Sequence, residues 1–132
     1  MKAPAVLLAL LATGVTAGDF SKSCTDEHID PSTEILTANC NTGDGQGTVQ
    51  ATSLDLNDCF AYVGNAIKWS STGNFGEACS DCYVTRLLDP VYGPIFGTTR
   101  VWLNCTCNGA ESSIELDTTG VSNRYGTLSC TS

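Results

Sequence analysis

Apolar residues recur at every second position in several short stretches of the chain. The clearest alternations are Leu36, Ala38 and Cys40; Leu54 and Leu56; Ile114 and Leu116; and Leu128 and Cys130. A period of two is typical of β-strands with one buried face. Thirteen glycines and Asn-rich segments such as residues 41–45 supply turns, and no stretch has the apolar period of a helix of ordinary length. The predicted fold class is all-β.

The chain nearly repeats itself. Residues 20–24 (Phe-Ser-Lys-Ser-Cys) return as residues 75–79 (Phe-Gly-Glu-Ala-Cys), residues 36–40 return as 103–107, and residues 53–57 return as 113–117. The blocks keep their order, which predicts a tandem repeat with a first unit over about 18–69 and a second over about 70–132. Because each unit is too short to bury much core alone, the two must pack together or exchange strands.

The first seventeen residues have the pattern of a secretory signal peptide. Lys2 precedes an apolar run over residues 5–12, and small residues follow within 15–17, where a signal peptidase would read them. The run is too short to cross a bilayer, and no later stretch is long or apolar enough for a membrane span. We therefore expect a signal peptide over 1–17 and a single domain over 18–132 that is secreted and extracellular.

The charge of the chain restricts its partners. Without Lys2, five basic residues face fourteen acidic ones, which gives a formal charge of −9. Such a surface repels phosphate backbones and acidic lipids, so we expect no nucleic acid partner. The acidic residues between Asp26 and Glu34 lack the ligand spacing and turn glycine of a calcium loop, and we interpret them as a solvated face. No metal and no cofactor are expected.

The eight cysteines predict four disulfides, because their number is even and the chain carries a secretory signal. If Cys24 pairs with Cys40 in the first unit, the repeat places Cys79 opposite Cys107 in the second. Cys105 and Cys107 lie on one face of a strand, which favours two stacked bridges, 79 to 107 and 82 to 105. Cys59 and Cys130 then remain for each other. A zinc site built from four of these cysteines is the alternative, and the secretory signal disfavours it.

The ordered blocks resemble the cyanovirin-N homologue (CVNH) family of lectins. The resemblance rests on Phe-x-x-x-Cys, Leu-x-Ala-x-Cys, Ser-Leu-Asp-Leu-Asn and Ile-Lys-Trp followed by Gly73-Asn-Phe75, and it runs from about Gly18 to Cys130. It implies two pseudo-symmetric lobes, each a three-stranded sheet with a hairpin, with strand exchange between the repeats. It also implies metal-free binding of mannose-type oligosaccharides. A monomer is expected, with a domain-swapped dimer as the alternative.

The resemblance also implies two sugar-binding sites. The first draws on segments near 19–23, 41–43 and 123–125, and its candidate carbohydrate-binding residues are Ser23, Asn41 and Asn123. The opposite site keeps Asn74 and Glu77. Side-chain amides and carboxylates can match the paired hydroxyl groups of a hexose, although Asn is equally a residue that stabilises turns. Of the two tryptophans, Trp69 fits a strand core and Trp102 is the candidate for an exposed stacking platform.

One segment departs from the family pattern. Residues 84–100 add about a dozen residues where the family has a short hairpin, and many of them are large and apolar. Such a loop either folds over a core or meets a partner. Two functions therefore stay open: a carbohydrate-binding lectin, and a secreted interaction protein that uses this insertion. An enzyme is not expected, because the chain has a single histidine, His28, and no cysteine left to be free.

Overall fold

A computed structural model describes residues 19–71 and 73–130. The predicted signal peptide, residues 1–17, lies outside the described residues. The described chain forms ten strands, four 3-10 turns and one short helix, and every sheet is antiparallel. The predicted all-β fold class is confirmed.

The first repeat begins with a 3-10 turn, Phe20–Lys22, and continues into a three-stranded sheet. Its strands are β1 (Cys24–Ile29), β2 (Ile35–Asn41) and β3 (Val49–Asp55), with β2 in the centre. A second 3-10 turn, Leu56–Asp58, leads to the hairpin of β4 (Phe60–Val63) and β5 (Ala66–Trp69). The period-two stretch of β2 buries Leu36, Ala38 and Cys40 on one face.

The second repeat has the same elements in the same order. A 3-10 turn, Phe75–Glu77, precedes the sheet of β6 (Cys79–Leu88), β7 (Thr99–Cys107) and β8 (Ala110–Glu115). The turn Leu116–Thr118 then leads to the hairpin of β9 (Val121–Arg124) and β10 (Thr127–Cys130). The register is repeated as well, since Leu36 lies opposite Leu54 and Leu103 lies opposite Ile114. The predicted tandem repeat is therefore visible element by element.

The two repeats exchange their hairpins. The β9–β10 hairpin packs on β3 of the first repeat: Leu128 N donates to Thr52 Oγ1 at 3.0 Å, and Gln50 Nε2 donates to Gly126 O at 2.8 Å. The β4–β5 hairpin packs on β8 of the second repeat, where Ile67 N donates to Ser112 Oγ at 3.4 Å. Each lobe is thus a sheet from one repeat covered by the hairpin of the other.

The core runs through both lobes as one buried cluster. Its largest members are three phenylalanines, Phe20, Phe60 and Phe75, which are all fully buried. Phe60 makes edge-to-face contacts with Phe75, at 6.2 Å between ring centroids, and with Trp69, at 5.4 Å. Phe20 and Phe75 are equivalent residues of the two repeats, so each repeat contributes the same anchor to the shared core.

Four disulfides join the eight cysteines, and none is free. The pairs are 24–40, 59–130, 79–107 and 82–105, the same pairs that the repeat and the strand geometry predict. The alternative of a four-cysteine zinc site is wrong, because these sulfur atoms are bonded to each other. The first lobe has one bridge between its β1 and β2 strands, whereas the second has two between β6 and β7.

The 84–100 insertion lengthens the β6–β7 hairpin. The two strands stay paired as far as Leu88 and Thr99, and the connecting residues 89–98 include a one-turn helix, α1 (Gly93–Phe96). The insertion does not fold over a core, since Leu88, Ile95 and Phe96 are 61%, 72% and 71% exposed. Of the helices in the described ranges, none has the length and apolar character needed to pass through a membrane.

Candidate functional site

Ser23, Asn41 and Asn123, which we call the first cluster, meet at the end of the first lobe. Ser23 follows the first 3-10 turn, Asn41 ends β2, and Asn123 comes from β9 of the other repeat. Asn123 Nδ2 donates to Ser23 Oγ at 3.0 Å and to Asn41 O at 2.9 Å. The exchanged hairpin therefore brings together residues that are 82 to 100 positions apart in the sequence.

The side-chain amide of Asn123 is largely occupied by protein partners. Both Nδ2 hydrogens are donated, and Oδ1 accepts from Gly126 N at 2.7 Å. One lone pair on Oδ1 is left for a ligand. Asn123 thus clamps the hairpin to the first repeat, a role that its residue type alone did not predict.

Asn41 and Ser23 retain more capacity for a ligand. Asn41 Oδ1 accepts from Gly43 N at 2.7 Å in a tight turn, and its Nδ2 has no hydrogen-bond partner in the described part of the chain. The Ser23 hydroxyl is exposed and has only a long bond, 3.4 Å, to Phe20 O besides the one from Asn123. Together the cluster offers amide donors and hydroxyl and carbonyl acceptors within a few ångströms.

A loop over residues 42–48 forms one wall of this end. Thr42 N donates to Thr48 O at 2.9 Å, and Asp44 accepts hydrogen bonds from the Thr48 hydroxyl and from Gln46 N, the latter at 2.8 Å. These two bonds, the hydroxyl first, hold the pKa of Asp44 below its ordinary value. The loop is therefore ordered around an ionised, exposed carboxylate.

Tyr125 lies in the 123–125 segment but is not among the predicted carbohydrate-binding residues. It lies in the two-residue turn between β9 and β10, and its side chain is 85% exposed. A Cβ built on Gly43 would lie 3.7 Å from Tyr125 Cδ1, so the ring stands beside the 42–48 loop. Its φ is +53°, a left-handed conformation that costs energy for a bulky residue and that is enriched at functional sites.

The signal for Tyr125 is present in the sequence but weak. The equivalent turn of the first repeat is Gly64-Asn65, with φ of +61° and +64°. Such residues suit a two-residue hairpin turn, whereas Tyr125-Gly126 places an aromatic ring at its first position. A large side chain at a turn position that favours Gly or Asn is therefore the sequence feature that could have indicated Tyr125.

Asn74 and Glu77, the second cluster, flank the start and the end of the 3-10 turn of the second repeat: Asn74 precedes the turn, and Glu77 is its last residue. Both are exposed, and Asn74 has φ +68° with its N–H donated to Asn57 O at 2.8 Å. They belong to one turn but do not join the first cluster, which is built on the other sheet. Asn108 N donates to Ala78 O at 3.0 Å, the counterpart of the 2.8 Å bond from Asn41 N to Ser23 O.

The second end keeps this backbone frame but not the side chains of the first. The repeat places Ala78 where the first end has Ser23, Tyr62 where it has Asn123, and Gly64 where it has Tyr125. Its loop after β7 is only Asn108-Gly109, against the seven residues 42–48 after β2. The first end therefore brings together more polar side chains than the second.

Other candidate features lie outside both ends. Trp102 is half-buried on the outer face of the second sheet, paired with Thr85 and Glu115, so it is less accessible than the sequence suggested. His28 is exposed and lines a surface concavity with Pro31 and Thr37. Within residues 19–71 and 73–130, no group of three or more His, Cys, Asp or Glu side chains is arranged to hold a metal ion.

The fold is similar to those of several solved structures. The chain resembles GzCVNH of Gibberella zeae with a TM-score of 0.69 and 21% identity, covering 87% of this chain and 99% of that one. It resembles microvirin, solved as a mannobiose complex, with a TM-score of 0.58 and 23% identity over 86% and 99% of the two chains. A MoCVNH3 variant in complex with (N-GlcNAc)4 gives 0.64 and 21% over 87% and 98%. These identities show the fold alone.

Among curated proteins, none matches the chain significantly. The CVNH domain, in contrast, matches residues 20–129, from the first 3-10 turn into the last strand. That range includes both repeats and both clusters. The chain belongs to the CVNH family.

Proposed function

We propose that this protein is a carbohydrate-binding lectin that recognises mannose-type oligosaccharides without a metal ion. The observation that carries the proposal is the convergence of Ser23, Asn41 and Asn123 beside the exposed ring of Tyr125. Membership of the CVNH family supports it, as does the similarity to microvirin, which was solved with mannobiose.

The chemistry of the first cluster suits a hexose. A sugar hydroxyl both donates and accepts, so it needs donors and acceptors on the same short length of surface. Asn41 Nδ2 is a free donor, Ser23 Oγ is an exposed hydroxyl, and Asn123 Oδ1 keeps one lone pair. The ring of Tyr125 offers an apolar face against which the C–H groups of the sugar can pack. The second cluster, Asn74 and Glu77, is then the weaker site.

The site of action that we propose is extracellular. The signal-peptide pattern of residues 1–17 and the four disulfides both favour secretion into an oxidising compartment. Glycans at cell surfaces are the natural ligands there. We propose a monomer in which the hairpins are exchanged within one chain, and binding without catalysis.

A titration of labelled protein with mannobiose, followed by amide NMR, tests this function. We expect shifts at residues 23, 41–43 and 123–126, and smaller ones near residues 74–78. Asn41→Ala removes the free donor, and we expect about a tenfold loss of affinity, which corresponds to one hydrogen bond in a desolvated site. Asn108→Ala changes the equivalent residue of the other end and is the matched control, with first-end affinity retained.

The same titration, repeated with a second sugar, tests which class of sugar the first cluster binds. The N-acetylglucosamine tetramer is the comparison ligand, because the MoCVNH3 variant was solved with it. Shifts at the first cluster with this ligand alone would contradict mannose recognition and leave a lectin of other specificity. No shift with either sugar at millimolar concentration would contradict the lectin function.

A second candidate function is a non-lectin interaction protein that uses the 84–100 insertion. The observation in its favour is the exposure of that insertion, whose apolar side chains are not covered by the rest of the protein. The two functions use different surfaces and do not exclude each other.

A further inference from the structure

The end of the 84–100 insertion is the most apolar exposed surface of the described residues. Six of the ten exposed large hydrophobic side chains lie within ten positions of sequence there, and we call this group the apolar tip. Its members are Leu87, Leu88, Val91, Tyr92, Ile95 and Phe96. They are 54% to 72% exposed. Clustering of large exposed apolar side chains is typical of interaction surfaces.

The apolar tip presents no unpaired charge. Between residues 87 and 99, Asp89 is the single charged residue. Its side chain is buried, accepts from Arg100 Nε at 2.8 Å and accepts from the N–H groups of Val91 and Tyr92 at 2.8 and 3.0 Å. Arg100 in turn donates to Glu115 at 2.7 Å. The tip therefore offers a partner no charge to recognise.

The tip is also held in a fixed shape. Gly93 N donates to Asp89 O and Gly97 N donates to Gly93 O, each at 2.8 Å, and the rings of Tyr92 and Phe96 lie 6.4 Å apart. The base is tied to the first lobe by Arg86, which donates to Glu27 Oε1 at 2.6 Å and to Cys24 O at 3.1 Å. Little conformational entropy remains to be lost when the tip meets a partner.

The tip extends beyond the sheet that supports it. The β6–β7 ribbon is packed on the lobes as far as Thr99, since Val101 is fully buried and donates to Asp117 Oδ2 at 2.8 Å, and Ser21 Oγ donates to Thr99 O at 3.5 Å. The hydrogen bonds of residues 87–98, in contrast, are all made within the insertion. Side chains on interfacial elements enter the boundary between lipid headgroups and acyl chains by about 5–10 Å. Because residues 87–98 make no hydrogen bond to either lobe in the described part of the chain, the exposed side chains of the tip can enter that layer while both lobes remain in water.

Charge restricts the occupants of such a surface. The chain has a formal charge of −8, so an anionic membrane and a second copy of the chain are both repelled. A neutral interface is not, and an exposed apolar tip enters a fluid layer without needing a complementary recess. Tyr is enriched in this layer, and Phe and Leu occur on the apolar faces of elements that lie in it. We propose that the apolar tip inserts into the interface of zwitterionic lipid membranes, independently of glycan binding.

Flotation of the full chain with phosphatidylcholine vesicles tests the proposal. The double variant Ile95→Ser/Phe96→Ser should lower the partition coefficient by at least about tenfold, since it removes two large apolar groups. Val49→Ser/Val63→Ser is the matched control, because both valines are 56% exposed and lie away from the tip. We expect binding by the control to equal that of the unchanged chain, and binding to weaken when phosphatidylserine is added.

A second measurement places the contact. Phosphatidylcholine with a spin label in its acyl chain should broaden the amide signals of residues 91–93 and 95–97 and spare those of residues 43–47 in the glycine-rich loop of the first lobe. No flotation with phosphatidylcholine, binding to anionic vesicles alone, or equal binding by the tip variant would overturn the proposal. If the unchanged chain does not float but forms a dimer, and the tip variant is a monomer, the tip binds a second copy of the chain instead.

Discussion

The two ends of the molecule share a backbone and differ in a few side chains. At both, a 3-10 turn, the end of a central strand and an exchanged hairpin meet, joined by equivalent bonds from Asn41 N to Ser23 O and from Asn108 N to Ala78 O. Only the first end adds an amide clamp in Asn123 and an exposed ring in Tyr125. Duplication therefore copies the frame of a binding site, whereas the chemistry depends on separate substitutions.

The two repeats also differ in where extra chain has been added. The first repeat has a seven-residue loop, 42–48, after its central strand, and the second has its extension before that strand, at the apolar tip. The first addition is polar and ordered around Asp44, while the second is apolar and exposed. The loop of the first lobe thus suits contact with a polar ligand, and the extension of the second lobe suits contact with an apolar one.

The largest difference between the lobes should appear when equivalent disulfides are removed. Cys24–Cys40 is the one bridge between β1 and β2 and closes a separation of 16 residues, so Cys24→Ala/Cys40→Ala should lower the free energy of unfolding by about 3 kcal/mol. Cys79→Ala/Cys107→Ala should cost much less, because Cys82–Cys105 still joins β6 to β7. Urea denaturation measures both, and equal losses would contradict the comparison.

The frame of the molecule could be predicted from the sequence. Short-range alternation predicted the strands, and the repeat, by placing Cys24 and Cys79 in equivalent positions, predicted the disulfide pairs that the structure contains. The resemblance predicted the exchange of hairpins. These features depend on the spacing and the order of residues along the chain, and both can be read from the sequence.

The details of the site could not be predicted in the same way. That the amide of Asn123 is occupied depends on how β9 sits against a strand end 82 residues away. The left-handed conformation of Tyr125 depends on the hairpin register, since a shift by one residue would move it out of the turn. The composition of residues 84–100 fits burial and exposure equally well, and packing alone decides between them.

The next prediction concerns the clamp. Asn123→Ala removes three hydrogen bonds at the first end, and we expect a loss of about 1–2 kcal/mol in stability together with a weaker response to mannobiose. Tyr62→Ala truncates the equivalent side chain of the second end and should leave the first-end response unchanged. Urea denaturation and amide NMR provide the measurements. Unchanged stability in Asn123→Ala would show that the clamp is dispensable.

A smaller effect is expected from exchanging the turn residues. Tyr125→Asn places Asn-Gly in the hairpin turn and relieves the left-handed strain of Tyr125, so stability should rise by about 0.5–1 kcal/mol while glycan affinity falls. Gly64→Tyr introduces the same strain at the other end and should lower stability by about 1 kcal/mol. If the free energy of unfolding changed in the same direction in both variants, a left-handed conformation would not be unfavourable for tyrosine in this turn.

The smallest effect is a pH dependence confined to the first end. The Thr48 hydroxyl and then Gln46 N–H hold the pKa of Asp44 below its usual value. A group whose pKa is lowered by folding contributes stability that is fully present above its unfolded pKa and is lost as the pH falls through the folded value. The loop over 42–48 should therefore keep its structure through the usual aspartate range and loosen only below it.

A carboxyl NMR titration of Asp44, followed together with the amide signals of residues 42–48, measures this dependence. We expect the two to change together, at a pH lower than that of an unperturbed aspartate, and the amide signals of Asn108 and Gly109 to stay unchanged because no carboxylate organises that turn. Thr48→Val removes the hydroxyl donor that lowers the pKa most, so it should return the titration of Asp44 toward its ordinary range. If Asp44 titrates in the ordinary range in the unchanged chain, its bonds to Thr48 and Gln46 do not order the loop, and the loop owes its shape instead to the bonds from Thr42 N to Thr48 O and from Gly43 N to Asn41 Oδ1.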